Sequence, residues 1–144
     1  MYSDSSALVK RYLRESGSDR AQAIVADADV IATSKLAYPE LLSAFMRKHR
    51  EGEIKKRTLR TILEMLDRDW ESILVIEFHD ELLPIIRPLI TQHALKGADS
   101  IHLASAIWLA RASQVSVTFV ASDLNLLEAA RLEDLPVINP QENE

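Results

Sequence analysis

Short apolar segments alternate with helix-period stretches along this chain, and that alternation limits it to few folds. The segments are residues 1–3, 30–33, 73–76, 117–121 and 136–138. They favour β-branched residues and do not alternate apolar with polar, as suits strands covered on both faces. Between them, Leu8, Val9, Tyr12 and Leu13 recur at helical spacing, and longer helices are expected over 36–50, 54–70, 79–93, 101–112 and 124–132. Pro39 falls in a first turn, where proline is tolerated, whereas Pro84 and Pro88 must shorten or kink their helix. Residues 16–19, Ser-Gly-Ser-Asp, make a loop suited to capping a following helix. Strands alternating with helices predict an α/β fold, a parallel sheet between helical layers. Only 3 glycines occur in 144 residues, which favours long helices over tight turns. There is no repeat and no linker, so residues 1–139 are expected to form one domain, followed by a polar tail at 140–144.

Composition removes several classes of function. The absence of cysteine excludes a disulfide scaffold, a thiol nucleophile and cysteine-ligated zinc or iron–sulfur centres. No long uncharged apolar run suits a membrane span, and the first residues do not read as a signal peptide, so a cytoplasmic home is expected. No Gly-x-Ser-x-Gly elbow and no Gly-rich phosphate loop is present, which argues against a serine hydrolase and a nucleotide fold. The net charge is −5. A nucleic-acid binder is normally basic, so contact with RNA or DNA would need a local charge of the opposite sign. A bound metal ion supplies one.

The carboxylates carry the chemical signal. Asp4 follows the first strand and Asp123 the fourth, and both precede a helix. In open parallel sheets the ligand crevice lies beyond the carboxyl ends of the strands, where the strand order reverses. If these two strands flank that point, both acids reach one crevice. Helix capping is the plainer role for each. Asp99 opens an apolar helix, where a first-turn carboxylate also suits the helix dipole. Glu40 lies one turn inside a helix among Tyr38, Leu41, Leu42 and Phe45, and a carboxylate buried there needs a partner, a metal or a proton. Acids gathered in one pocket repel one another, and a divalent cation relieves this. Oxygen ligands alone point to Mg²⁺ or Mn²⁺ over zinc. Such ions serve phosphodiester hydrolysis by activating water and steadying charge on the phosphate.

Four segments resemble the acidic motifs of PIN domains, most closely those of VapC-type toxins of toxin–antitoxin pairs. They are Ser-Asp-Ser-Ser-Ala-Leu-Val-Lys around Asp4, Tyr-Pro-Glu-Leu-Leu-Ser-Ala around Glu40, Ala-Asp-Ser-Ile-His-Leu-Ala-Ser-Ala around Asp99, and Phe-Val-Ala-Ser-Asp-Leu-Asn-Leu-Leu-Glu-Ala-Ala around Asp123. Each motif alone is weak, and the four in order are specific. The resemblance implies a three-layer α/β/α fold and a Mg²⁺- or Mn²⁺-dependent endoribonuclease acting on RNA. It also implies a homodimer and an antitoxin that covers the acidic groove. Asp4, Glu40, Asp99 and Asp123 map onto the metal-binding, catalytic quartet, holding one or two ions. Ser6 maps onto the hydroxyl residue beside the first acid, and Asn125 is carried as an accessory position.

Other residues have two readings each. His102 shares a helix face with Asp99 and either assists the site or sits in the core with its ring hydrogen-bonded. Lys10, Arg11 and Arg14 lie near the expected crevice and either hold substrate phosphates or form a solvated face, with Arg11 paired to Glu15. Two basic clusters, Arg47-Lys48-His49-Arg50 and Lys55-Lys56-Arg57, either guide RNA or are solvated. Leu36, Leu41, Phe45, Leu59 and Leu66 on the hairpin over 36–72 either receive a partner helix or are buried within the monomer. Two rivals to the nuclease remain. One is a PIN-like protein-binding module without catalysis. The other is a receiver- or phosphatase-like α/β domain, which would need paired acids after the first strand and a late lysine.

Overall fold

A computed structural model describes residues 1–142 of the chain. Five parallel strands form one sheet in the order β3-β2-β1-β4-β5, with β1 Tyr2–Ser3, β2 Ala32–Ser34, β3 Leu74–Ile76, β4 Phe119–Val120 and β5 Val137–Ile138. Helices flank it, which is the α/β architecture expected. They are α1 Ser5–Leu8, α2 Ser18–Asp27, α3 Ala37–Arg50, α4 Lys56–Trp70, α5 Leu83–His93, α6 Gly97–Ser113 and α7 Leu124–Leu132. Short 3-10 turns at Val9–Arg11 and Asp80–Leu82 extend α1 and precede α5.

The central strands are short and buried throughout, while β3 and β5 at the edges are partly open. This burial explains the missing apolar–polar alternation. Tyr2 pairs with Ala32 on one side and Phe119 on the other, and its ring stacks on Phe119 with centroids 5.5 Å apart. Thr33 Oγ1 donates to the Ser3 carbonyl at 2.7 Å, satisfying a buried hydroxyl between neighbouring strands.

The side chains pack in two groups. Tyr2, Phe119, Leu89, Leu103, Ile107 and Leu126 belong to a core that joins the sheet to α5, α6 and α7. Leu8, Leu13, Leu41, Phe45, Ile62 and Leu66 form a second core among α1, α3 and α4. Leu41, Phe45 and Leu66 are fully buried there and Leu59 nearly so. The apolar stripe of the 36–72 hairpin is therefore covered within the monomer. Pro84 sits in the first turn of α5, where its missing N–H costs nothing, and Pro88 lies inside that helix.

The C-terminal segment does not leave the fold at Pro140. Asn139 and Pro140 are buried, and Asn139 Oδ1 accepts from the Gln141 amide at 2.9 Å. Of the expected tail at 140–144, Gln141 and Glu142 are exposed, and Asn143 and Glu144 lie outside the described residues. Gly17 makes the close approach possible. Its φ is +87°, and a Cβ there would stand 2.7 Å from the Pro140 carbonyl oxygen. Gly52 also has positive φ, at +78°, but faces open space.

Replacing Gly17 with alanine should therefore destabilise the protein by about 2–3 kcal/mol, against about 1 kcal/mol for Gly52→Ala, which carries backbone strain alone. Urea unfolding checks this through the two midpoints. Equal losses at the two sites would show that the Pro140 contact contributes nothing.

Candidate functional site

The strand order reverses between β1 and β4, and the residues leaving those two strands are Asp4 and, after Ala121 and Ser122, Asp123. Each caps the helix that follows. Asp4 Oδ1 accepts from the Ala7 amide at 3.0 Å, and Asp123 Oδ1 accepts from the Leu126 amide at 2.9 Å. Capping and a place at the crevice are therefore compatible, and the cap fixes where each carboxylate sits.

Asp4 is 3% exposed. Ser6 Oγ lies 2.8 Å from both of its carboxylate oxygens. The same Ser6 oxygen accepts from the Ser122 amide at 3.1 Å, tying α1 to the turn that carries Asp123. Burial raises the Asp4 pKa to about 6, against the lowering influence of His102, Ser6 and the Ala7 amide. Asp99 comes from the first turn of α6. Its pKa is raised by burial first, then by repulsion from Asp123 and Glu40. Asp99 in turn raises Asp4. Asp99 is thus the acid that the charges of Asp123 and Glu40 reach and whose own charge reaches Asp4.

Glu40, in the first turn of α3, is held from below. His102 Nε2 lies 2.7 Å from Glu40 Oε1, and a carboxylate only accepts, so Nε2 is the donor. His102 Nδ1 lies 2.8 Å from the Tyr2 hydroxyl. Burial keeps that hydroxyl protonated well past its usual range. His102 is 1% exposed, so it is the hydrogen-bonded core histidine of the second reading, placed under the acidic crevice. The Tyr2–His102–Glu40 chain was not foreseen. Its only sequence signal was the helical spacing of Asp99 and His102.

The remaining named residues are placed as follows. Asn125 is exposed in the first turn of α7, two residues beyond Asp123. Lys10 is 2% exposed and bonded to Glu15 at 2.7 Å. Arg11 pairs with Asp69 at 2.7 Å instead of Glu15, beside a Tyr12 hydroxyl that also donates to Asp69. That cluster lines a separate cavity with Val25, Val30 and Ile73. Arg14 is exposed and pairs with Asp19. Each of these three cations already has an ion partner.

Whether the acids fit a metal ion depends on their chemistry. The donors are hard carboxylate oxygens, and His102 and Lys96 offset only part of the burial and crowding that raise Asp99. That donor set suits Mg²⁺ or Mn²⁺. Among the described residues, no three His, Cys, Asp or Glu side chains converge closely enough for one ion as they stand, so ligation would require side-chain rotation.

The raised Asp4 pKa has a stability consequence. The folded pKa of about 6 lies above the ordinary aspartate value of 3.8, so the ionised form is disfavoured by folding. The penalty is absent below the unfolded pKa and fully present above pH 6, where it reaches roughly 3 kcal/mol. Asp4→Asn keeps an acceptor for Ala7 and removes the charge. In EDTA at pH 7 the variant should melt above the wild type, and the gap should close as pH falls from 6 to 4. A pH-independent gap would contradict the assignment.

Comparison with known proteins shows what the chain is similar to. The family model described as PIN domain matches residues 1–132. Ribonuclease VapC45 of Mycobacterium tuberculosis is 35% identical over 111 residues, covering 74% of this chain and 74% of that protein. The crystal structure of FitAcB from Neisseria gonorrhoeae superposes with a TM-score of 0.67 at 18% identity, covering 99% of each chain. A toxin–antitoxin complex from Klebsiella pneumoniae superposes with a TM-score of 0.58 at 15% identity, over 99% of this chain and 98% of that one.

Proposed function

The chain belongs to the PIN domain family, and from that membership we propose that it is a VapC-type toxin endoribonuclease, hydrolysing RNA phosphodiester bonds with the help of Mg²⁺ or Mn²⁺. The observation that carries this reading is the delivery of Asp4 and Asp123 to the β1/β4 reversal point, with Glu40 and Asp99 within electrostatic reach. Residues 1–139 act as one nuclease domain in this reading.

Asp4, Glu40, Asp99 and Asp123 would hold one or two ions, which when bound activate water for attack and neutralise charge on the phosphate. The chain's own residues prepare the site. Ser6 holds the Asp4 carboxylate and keeps the Asp123 turn against it. His102, braced by Tyr2, fixes one oxygen of Glu40. Asn125, exposed two residues beyond Asp123, would serve as an accessory polar group.

An antitoxin laid over the acidic groove belongs to the same reading, supported by the structural likeness to a toxin–antitoxin complex. A homodimer belongs to the same reading, and the exposed apolar side chains of Leu74 on β3, of Phe78, and of Leu83 and Ile90 on α5 are available to it. No helix among the described residues is long and apolar enough to cross a membrane, and we place the activity in the cytoplasm. The rival reading, a PIN-like binding module without catalysis, draws on the lack of three converging ligands among the described residues.

The test is RNA cleavage by the purified chain with Mn²⁺, Mg²⁺ or EDTA, beside Asp99→Asn. Cleavage should require the metal and fall at least 100-fold in the variant. Metal should also raise the melting temperature of the wild type more than that of Asp99→Asn. Melting indifferent to metal, with no cleavage, would favour the binding module.

A further inference from the structure

One groove beside the acids is unused by this account. It has a volume of about 300 Å³ and lies between α1, α3 and the turn after β4. Ser6, Ser122, Lys10, Arg47 and Lys48 line it, with Val9 among its apolar walls. Ser6 is the residue bonded to Asp4, so the groove adjoins the acidic site directly. A second cavity of about 400 Å³ holds Glu40, Ser5 and Ser43, and Arg47 lines it too. Arg47 therefore stands where the two cavities meet.

The cations of this region are not equivalent. Lys10 is buried and bonded to Glu15, and Lys48 Nζ lies 2.8 Å from Glu53 Oε2. Arg47 is exposed, and among the described residues it has no ion partner. In a protein of net charge −5, a guanidinium beside clustered acids, with no ion partner among the described residues, is a group free to meet a phosphate.

We propose that the Arg47 groove is a backbone-phosphate subsite for the RNA substrate, holding a nucleotide next to the bond that is cut. The inference rests on the endoribonuclease reading and adds what that reading lacks, a path for RNA across an acidic protein. Arg47 binds by its fork of N–H donors, and the apolar walls accept a ribose. The contact positions substrate and does not read bases. The helix-dipole role open to a cation in the last turn of α3 predicts a stability effect only.

The test uses the full chain and a fluorescent single-stranded oligoribonucleotide that the wild type cuts. Arg47→Ala should raise KM about 5- to 20-fold with kcat within about twofold of wild type. It should flatten the slope of log(kcat/KM) against log[salt] by about 0.7, the value for one phosphate contact on a single strand. Arg47→Lys should recover part of the KM, and Arg60→Ala, on the exposed face of α4, should match the wild type. Thermal melts of all variants identify any loss of fold. A KM and salt slope for Arg47→Ala equal to those of Arg60→Ala, in protein whose wild type cuts, would overturn the subsite alone. A folded wild type that cuts no RNA with either metal would overturn the nuclease reading, and the subsite with it.

Discussion

Two residues of chain, Tyr2 and Ser3, run between β2 and β4, and the site depends on where that short strand ends. Hydrogen bonds on both sides fix its register, from the Tyr2 amide to the Thr118 carbonyl and from the Ala32 amide to the Met1 carbonyl. The Asp4 amide donates to the Val120 carbonyl, so the ladder continues to the first acid itself. A slip of one residue would turn Tyr2 out of the core and Asp4 away from its neighbours. The stacked pair of Tyr2 and Phe119, both fully buried, resists that slip.

The burial that secures the strand works against the carboxylate it carries. Asp4 is removed from water and placed near another acid, and both effects favour its protonated form. Hydrogen bonds from Ser6 and Ala7 recover only part of the difference. Functional carboxylates are commonly kept in this uncomfortable state, because relief then comes from the ligand. His102 contributes differently. It lowers the pKa of Asp4 and Asp99 while occupying one oxygen of Glu40, so one buried ring bears on three of the four acids.

Much of this could be read from the residues in order. The alternation of strand and helix was visible, as were the acids that leave β1 and β4, because such signals are local. Boundaries moved where pairing decided them. Residues 30–31 have strand-like side chains, yet β2 pairs with β1 only from Ala32, and Val30 is exposed. The apolar stripe of α2, Ala21, Ile24 and Val25, is short and weak, and of these only Ala21 is fully buried, so the helix gives little signal in the sequence. Partners distant along the chain were also hidden. Glu15 is one turn from Arg11, but Asp69, 58 residues away, is the acid that binds it, through the packing of α4 against the first turns. The Tyr2–His102 contact spans 100 residues and follows only from the fold.

The double duty of Asp4 and Asp123 as helix caps has a thermodynamic meaning for whatever binds them. Each side chain gives up its rotational freedom when its helix forms, through a bond from one oxygen to a backbone amide. Fixing a side chain costs on the order of 1 kcal/mol of entropy, and here the folding reaction bears it. An arriving cation finds these two acids already immobilised. Glu40 also has one oxygen held, by His102, so what binding must still order is chiefly Asp99, whose carboxylate has no hydrogen bond among the described residues and forms the adjustable part of the site.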